Sequence, residues 1–200
     1  SLGADAIWFS PLYASPQADY GYDIADYYNI NPEYGTNEEF KEVLDGAHAR
    51  GMKVIMDLVI NHTSDQHEWF KKSAAGDPKY KDYYIWRPGK GKDGKKFPNN
   101  WMATFPGDGW KWNEERGEYY LHLFAVEQPD LNHDNPAVRE EVKNIIRYWL
   151  DMGVDGFRED VITFISKREG LPNGFPLPAV RGMEHYSPGP NLIKYLTEYR

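Results

Sequence analysis

Residues 153–161, GVDGFREDV, decide the fold, because they read as a buried strand that ends in charged residues. Residues i and i+2 of a strand lie on the same face. Arg158 and Asp160 are therefore predicted to point the same way, and Glu159 the other way. A carboxylate beside a permanent cation stays ionised, which is what a carboxylate nucleophile requires. On these residues alone, a structural ion pair is slightly favoured over a catalytic one.

Composition limits the classes of function. A chain of 200 residues that is 40% hydrophobic can bury a real core. Its net charge of −8 argues against a nucleic acid or an anionic membrane as partner, and no apolar run approaches the ~20 residues of a membrane span. The chain has no cysteine, which fits a reducing compartment, and we expect a cytoplasmic protein. The 16% aromatic content suits either a core or a surface that stacks on sugars.

Strands and helices alternate along the first part of the chain. An apolar run at 4–9 predicts a buried strand, and the Pro-, Tyr- and Asp-rich residues 11–35 predict a long structureless loop. A capping box and apolar residues at helical spacing predict a helix over 37–50. Residues 53–60 are almost continuously apolar, as in a parallel strand covered on both faces.

The pattern changes at residue 63 and returns at about residue 134. Within 63–133 the sequence predicts a short helix at 66–75 and a strand at 117–124, and we interpret this block as an inserted subdomain. Residues 136–152 then predict a helix that leads into the strand at 154–160, and another helix begins near residue 191. Such alternation indicates a parallel α/β fold.

Unusual polar residues follow each predicted parallel strand. Asp19 and Tyr22 come after the first strand, His62 ends the second, and Arg158 and Asp160 end the third. Taken singly, turn chemistry explains Asp19, and a satisfied structural histidine explains His62. In an α/β barrel, however, the active site lies at the C-terminal ends of the strands. Clustering at that end favours a functional site, provided that the fold is a barrel.

Three ordered motifs carry a family resemblance. They are DLVINH at 57–62, QPDLN at 128–132 and GFREDVI at 156–162. The first and third resemble signatures of the α-amylase superfamily of retaining glycoside hydrolases, and the second is similar to one typical of its oligo-1,6-glucosidase and dextran glucosidase branch. The resemblance runs over the whole chain.

The resemblance implies a partial (β/α)8 TIM barrel, covering the region of strands 2–4, with an inserted B domain. Residues 1–62 and 134–200 would then be parts of the catalytic barrel, and residues 63–133 the B domain. The chain would be an internal piece of an enzyme, because three strands cannot close an eight-stranded barrel. We expect the isolated chain to be inactive.

The resemblance also implies roles for individual residues. Asp160 would be the nucleophile and Arg158 its ionic partner, while the general acid, a Glu in this family, would be absent from the chain. Asp19, Tyr22 and His62 would line the subsite for the reacting glucose, with Asp57 supporting them. Three residues on the B-domain side would complete the pocket: Phe105, Phe124 and Gln128. Residues 162–164, ITF, stand where endo-acting amylases often carry a Lys-His pair, which favours an exo-acting glucosidase.

The expected activity is that of a retaining exo-α-glucosidase that hydrolyses terminal α-1,6-linked glucose from short isomalto-oligosaccharides. The alternatives are an α-1,4-glucosidase, a trehalose-6-phosphate hydrolase or a sucrose isomerase of the same superfamily, or an inert homologue that acts as an interaction subunit. No cofactor is expected to be required; calcium is possible in the full-length enzyme, although the missing Lys-His pair does not support an amylase-type site. We expect an oligosaccharide as the small-molecule partner and a monomeric full-length protein.

Overall fold

The computed structural model describes residues 3–200, so Ser1 and Leu2, which begin the first predicted barrel segment, lie outside the described residues. In chain order the strands and helices are β1 (Ala6–Phe9), β2 (Tyr13–Ala14), β3 (Asp26–Ile30), α1 (Asn37–His48), β4 (Lys53–Leu58), α2 (Glu68–Ala74), β5 (Trp86–Arg87), β6 (Trp110–Asn113), β7 (Glu118–Leu121), α3 (Pro136–Met152), β8 (Gly156–Glu159) and α4 (Leu192–Tyr199).

A parallel sheet of three strands, in the order β1-β4-β8, organises the molecule. All three strands were predicted, with bounds that are one or two residues too long at an end. The burial predicted for the first and third strands is wrong: β1 and β8 contain no buried residue, because each lies at an edge of the sheet. Strand β4 ends at Leu58 because the next two backbone carbonyls bond outside the sheet. The carbonyl of Val59 accepts from the Tyr27 hydroxyl at 2.6 Å, and that of Ile60 lies 2.6 Å from His133 Nε2. Neither carbonyl is therefore available to a neighbouring strand of the sheet.

Helices α1 and α3 begin and end where their caps predict. Thr36 and Glu39 form the expected capping box, and Asn135 caps α3 ahead of Pro136. Gly153 ends α3 with φ of 118°, a conformation that favours glycine. The apolar stripes of both helices are buried in one hydrophobic core, and the buried positions are Phe40, Leu44 and Ala47 in α1 and Val138, Val142, Ile145 and Trp149 in α3.

Residues 11–35 are not the structureless loop that the sequence predicts. Strands β2 and β3 pair antiparallel there, with Tyr13 opposite Ile30 and an irregular register after Tyr13. The ring centroids of the buried Tyr13 and Tyr27 are 5.8 Å apart, and the Tyr13 centroid lies 5.7 Å from that of Trp149 in α3. Strands of two and five residues, interrupted by an irregularity, show too little alternation to be recognised from sequence.

Residues 63–133 form an inserted segment between β4 and α3. The predicted helix and strand exist as α2 and β7, with shorter bounds, and the sequence missed β5 and β6, which complete an antiparallel sheet in the order β5-β7-β6. The inserted segment contacts the residues after β4 through an antiparallel β-bridge between His62 and Asp130. The proposed domain boundaries at 62 and 133 stay predictions. Among residues 3–200, no helix is long and apolar enough to cross a membrane.

Asp155 ties α1 and β4 to the start of β8. Its carboxylate accepts from the backbone N–H of Val54 at 2.9 Å, and it lies 2.7 Å from His48 Nε2 and 3.0 Å from Lys53 Nζ. The Val54 N–H, followed by His48, lowers the pKa of Asp155 well below its usual range. A carboxyl whose pKa falls on folding adds stability above its unfolded value of about 4, and that stability is lost as the pH falls toward the folded value.

We predict that Asp155→Asn lowers the free energy of unfolding of the full-length protein by about 1 kcal/mol at pH 7, since a partly exposed charged group contributes little more. Urea unfolding at pH 7 and below pH 4 measures this, and the difference between wild type and variant should shrink at the lower pH. Asp151→Asn, on the exposed end of α3, is the matched control. Equal stability of D155N and wild type at pH 7 would contradict the prediction.

Candidate functional site

Arg158 lies between two carboxylates at the C-terminal end of the parallel sheet. It stands opposite Asp57 in the register of β4 and β8, and Nη1 donates to Asp57 Oδ2 at 2.9 Å and to Oδ1 at 3.1 Å. The same nitrogen donates to Asp160 Oδ1 at 2.6 Å. Arg158 and Asp160 share a side of the strand, as predicted. Asp160 is 9% exposed, so its carboxylate is largely shielded and has a permanent cation beside it.

Asp57 supports this ion pair from inside the molecule. Its residue is 1% exposed, and burial raises the pKa of its carboxyl to about 6, although Arg158 acts in the opposite direction. Tyr22 places its hydroxyl 3.4 Å from both Asp57 Oδ2 and Arg158 Nη1. Burial, and then the charge of Asp57, raises the pKa of Tyr22, so the phenol is a neutral hydrogen-bond donor.

The backbone turns sharply directly after Asp160. The Asp160 N–H still donates to the Leu58 carbonyl at 3.0 Å, which continues the β4–β8 ladder. Val161 then has φ of 40° and ψ of 36°, a left-handed conformation that is rare for a β-branched residue. Strain of this kind is stored where the surrounding structure enforces it, commonly at functional sites. The Asp160 carboxylate is thus held between a regular strand and a strained turn.

His62 forms the centre of a second group of side chains beside the first. Its Nε2 lies 3.1 Å from the Tyr22 carbonyl and 3.1 Å from Gln128 Nε2. Gln128 in turn donates to Asp19 Oδ2 at 3.0 Å, and the Phe124 ring lies 5.3 Å from the imidazole. Burial lowers the pKa of His62, so the ring is neutral at pH 7.

A row of aromatic rings flanks His62. Phe124 contacts Phe105 edge to face at 5.9 Å and stacks on Phe164 at 5.7 Å. Phe105, which is 42% exposed, lies at the outer end of the row. Exposed aromatic faces at the rim of a polar cluster offer a surface to the C–H faces of a sugar.

The structure therefore brings the predicted site residues together in one place. Tyr22 connects the two groups, because its hydroxyl approaches Arg158 and its carbonyl approaches His62. Phe105 joins the cluster through its ring contact with Phe124. Glu159 lies outside it, as the strand alternation predicts. The individual roles in catalysis and substrate binding stay predictions.

Sequence reasoning missed several residues that build the site. The Trp8 ring on β1 lies 5.6 Å from the Arg158 guanidinium, and the Tyr13 hydroxyl donates to the Asp57 carbonyl at 2.7 Å. Lys167, which is buried, places Nζ 2.7 Å from Asp130 Oδ2 and 2.9 Å from Asn61 Oδ1. The sequence carries no signal for Lys167, because the burial of Asp130 and its contact with Lys167 arise only in the fold.

The same contact bears on the calcium that the resemblance leaves possible between the barrel and residues 63–133. Asp130 and Asn61 supply the oxygen atoms there, and both already bind the ammonium group of Lys167. Within residues 3–200 the structure contains no group of three or more His, Cys, Asp or Glu side chains suited to a metal ion. These residues do not fit a calcium ion at this contact.

Comparison with known proteins gives one consistent family. The model of the alpha amylase catalytic domain matches residues 1–200. An oligo-1,6-glucosidase of Bacillus cereus is 54% identical, over 98% of this chain and 35% of that protein. The crystal structure of Bacillus licheniformis trehalose-6-phosphate hydrolase is 48% identical with a TM-score of 0.92, over 98% of this chain and 34% of that one.

A third similar protein is named for a different activity. The crystal structure of the trehalulose synthase of Pseudomonas mesoacidophila MX-45 is 46% identical with a TM-score of 0.91, over 98% of this chain and 35% of that one. The chain thus spans about one third of the length of the relatives that it matches. Its three parallel strands are consistent with part of a barrel.

Proposed function

Because this chain belongs to the alpha-amylase catalytic-domain family, we propose that the protein containing it is a retaining exo-α-glucosidase that releases terminal α-1,6-linked glucose from short isomalto-oligosaccharides. The observation that carries the proposal is the Asp160 carboxylate, held at 2.6 Å from the Arg158 guanidinium at the end of a parallel strand. An inert homologue has no need of a carboxylate held in this way. Intact Asp160 and Arg158 therefore favour an enzyme over an interaction subunit.

The proposed reaction uses Asp160 as nucleophile. Retaining hydrolysis requires two carboxyl groups roughly 5–5.5 Å apart. An Asp160 oxygen bonds to the anomeric carbon while the glycosidic C–O bond breaks and the second carboxyl protonates the leaving oxygen. That second group then takes a proton from water, whose oxygen displaces Asp160 and releases glucose. Arg158 keeps Asp160 ionised and oriented for the attack, and the second carboxyl is assigned to a Glu outside residues 1–200.

The remaining side chains of the cluster suit a glucose ring. Asp19 and Gln128 supply an acceptor and a donor for hydroxyl groups, and His62 stands beside both. Phe124 and Phe105 supply an apolar face. This mixture of a few fixed polar groups and aromatic rings is typical of a small-molecule pocket.

Several finer features belong to the proposal. We assign residues 63–133 to a B domain and expect a monomeric full-length protein that needs no cofactor. The bound Lys167 ammonium supports the absence of calcium at the contact between that segment and the sheet. A cytoplasmic location, which the lack of cysteine favours, stays a prediction.

Val161 supports the α-1,6 preference over the alternatives. In the branch that the sequence resembles, Val after the nucleophile accompanies α-1,6 preference and Thr accompanies α-1,4 preference. The strained turn fixes Val161 directly beside Asp160, and its side chain packs against the aromatic cluster that contains Phe164. Val161 presents no hydroxyl group to the leaving sugar.

We predict that Asp160→Asn in the full-length enzyme lowers kcat by about 10⁴-fold or more, the scale of loss seen for removal of a nucleophile. The substitution removes the attacking charge and keeps the shape, so the thermal melt should change little. Glu159→Gln makes the same chemical change one residue away, on the other face of the strand, and should keep kcat near the wild-type value. Near-normal hydrolysis by D160N would exclude Asp160 as the nucleophile.

We predict a higher kcat/KM for isomaltose than for maltose, with trehalose 6-phosphate and sucrose assayed beside them. Val161→Thr should shift the isomaltose-to-maltose ratio toward maltose by about tenfold, the effect of one hydrogen bond to a hydroxyl group. Val161→Ala controls for lost packing, because it removes methyl groups without adding a hydroxyl. A wild-type enzyme that prefers maltose, trehalose 6-phosphate or sucrose would overturn the assignment.

A further inference from the structure

A buried polar chain leads from Lys167 to His62 and has no part in the reaction proposed above. Lys167 Nζ contacts Asp130 Oδ2 and Asn61 Oδ1, and Asn61 Nδ2 lies 3.1 Å from Asp130 Oδ2. Asn61 Nδ2 also lies 3.3 Å from His62 Nδ1. Asn61 and Asp130 are fully buried, and the Lys167 side chain is 4% exposed, so water does not compete for these contacts.

The partners of Asn61 leave its side-chain amide one orientation. An ammonium group only donates, so the atom beside Lys167 must be the amide oxygen. Both Asp130 oxygens already accept, Oδ2 from Lys167 and Oδ1 from the Leu123 N–H at 3.0 Å, so the atom of Asn61 beside Oδ2 must be the amide nitrogen. The nitrogen that faces His62 is therefore a donor, and a flipped amide would lose two contacts to buried charged groups.

From this geometry we infer that Asn61, pinned by Lys167 and Asp130, is a positioning residue that keeps neutral His62 in the tautomer with its proton on Nε2. A donor at Asn61 requires His62 Nδ1 to accept. The proton on Nε2 then points to the Tyr22 carbonyl, 3.1 Å away. Both ring nitrogens are satisfied in this arrangement.

Gln128 opposes the inference and makes it testable. Its Oε1 accepts the Ala125 N–H at 3.0 Å and its Nε2 donates to Asp19, so it too presents a donor to His62 Nε2. The opposite tautomer would satisfy Gln128, but it would leave the Tyr22 carbonyl without its donor and set Nδ1–H against the Asn61 donor. Two contacts favour the proton on Nε2, and one favours Nδ1.

The tautomer matters for the pocket, and this step rests on the proposed function. Nε2 faces Tyr22, Gln128 and, through Gln128, Asp19, which are the residues assigned to the glucose subsite. A proton on Nε2 makes His62 a hydrogen-bond donor to a sugar oxygen. The opposite tautomer would present only a lone pair there, beside the carboxylates that already serve as acceptors.

The first experiment reads the tautomer in the wild-type protein, and a variant serves only to assign the signals. Long-range ¹H–¹⁵N correlation spectra of the full-length protein, labelled with ¹⁵N at histidine, show which ring nitrogen carries the proton, and loss of signals in His62→Gln assigns them. We expect His62 to be protonated on Nε2 alone at pH 7. A proton on Nδ1 would overturn the inference. Because the readout is spectroscopic, it stands apart from the assay for glucosidase activity, which tests the proposed function.

Removal of the Asn61 donor then tests the cause. Asn61→Asp would place a second carboxyl group against Asp130, 3.1 Å away, and the pair would share a proton, so Asn61→Leu is used instead. Leu removes the donor that faces Nδ1 without adding a charge, so His62 should show signals of both tautomers, and kcat/KM for isomaltose should fall by about twofold or more as the Nε2–H form is lost. Asn144→Leu, the same change on the exposed face of α3, should alter neither. An N61L protein that keeps the proton on Nε2 alone would refute the positioning role.

If N61L does not fold, Lys167→Met provides the second test. Without Lys167, no ammonium group holds the Asn61 amide oxygen, so one of the two contacts that enforce the orientation of the amide is lost. We expect His62 signals of both tautomers in this variant. Retention of the single Nε2–H form would refute the role of Lys167.

Discussion

The parallel register between β4 and β8 is the constraint on which the site depends. It sets Asp57 opposite Arg158, and strand alternation then sets Asp160 beside the same guanidinium. A shift of one residue would turn Arg158 to the opposite face. Asp57 would then be a buried carboxylate without a cation, which costs several kcal/mol in a protein interior. The hydrogen-bonded ladder and the ion pairs thus require each other, and together they fix where Asp160 stands.

Two cations serve the site in different ways. Arg158 is 45% exposed at its side chain and bridges Asp57 and Asp160 at the C-terminal end of the parallel sheet. Lys167 is buried and joins Asp130 of the inserted segment to Asn61, which follows β4. A buried ion pair adds little net stability, because desolvation offsets the attraction. What Lys167 gives is geometry: it fixes the orientation of neighbours whose donors and acceptors reach His62.

The sequence predicted those features that depend on local pattern. Caps at Thr36 and Asn135 and the continuous apolar strands defined the α/β order, and the polar residues after three strands indicated one cluster at one end of the sheet. The sequence did not predict the hairpin of β2 and β3 or the strands β5 and β6, because strands of two to five residues carry little periodicity. Lys167 escaped because its partner, Asp130, is 37 residues away along the chain, and only the fold brings the two together.

The family motifs indicate the reacting carboxylate more sharply than the substrate, and there is a physical reason. In the proposed reaction, attack at the anomeric carbon uses Asp160, Arg158 and the glucose subsite, which any α-glucosyl substrate would occupy. Discrimination between a glucosyl, a phosphorylated or a fructosyl leaving group would depend on contacts made beyond that glucose. Within residues 3–200 the strained Val161 turn follows Asp160 directly and packs toward Phe164. On the proposed assignment, a substitution there changes the surroundings of the leaving group while the ion pair between Arg158 and Asp160 stays in place.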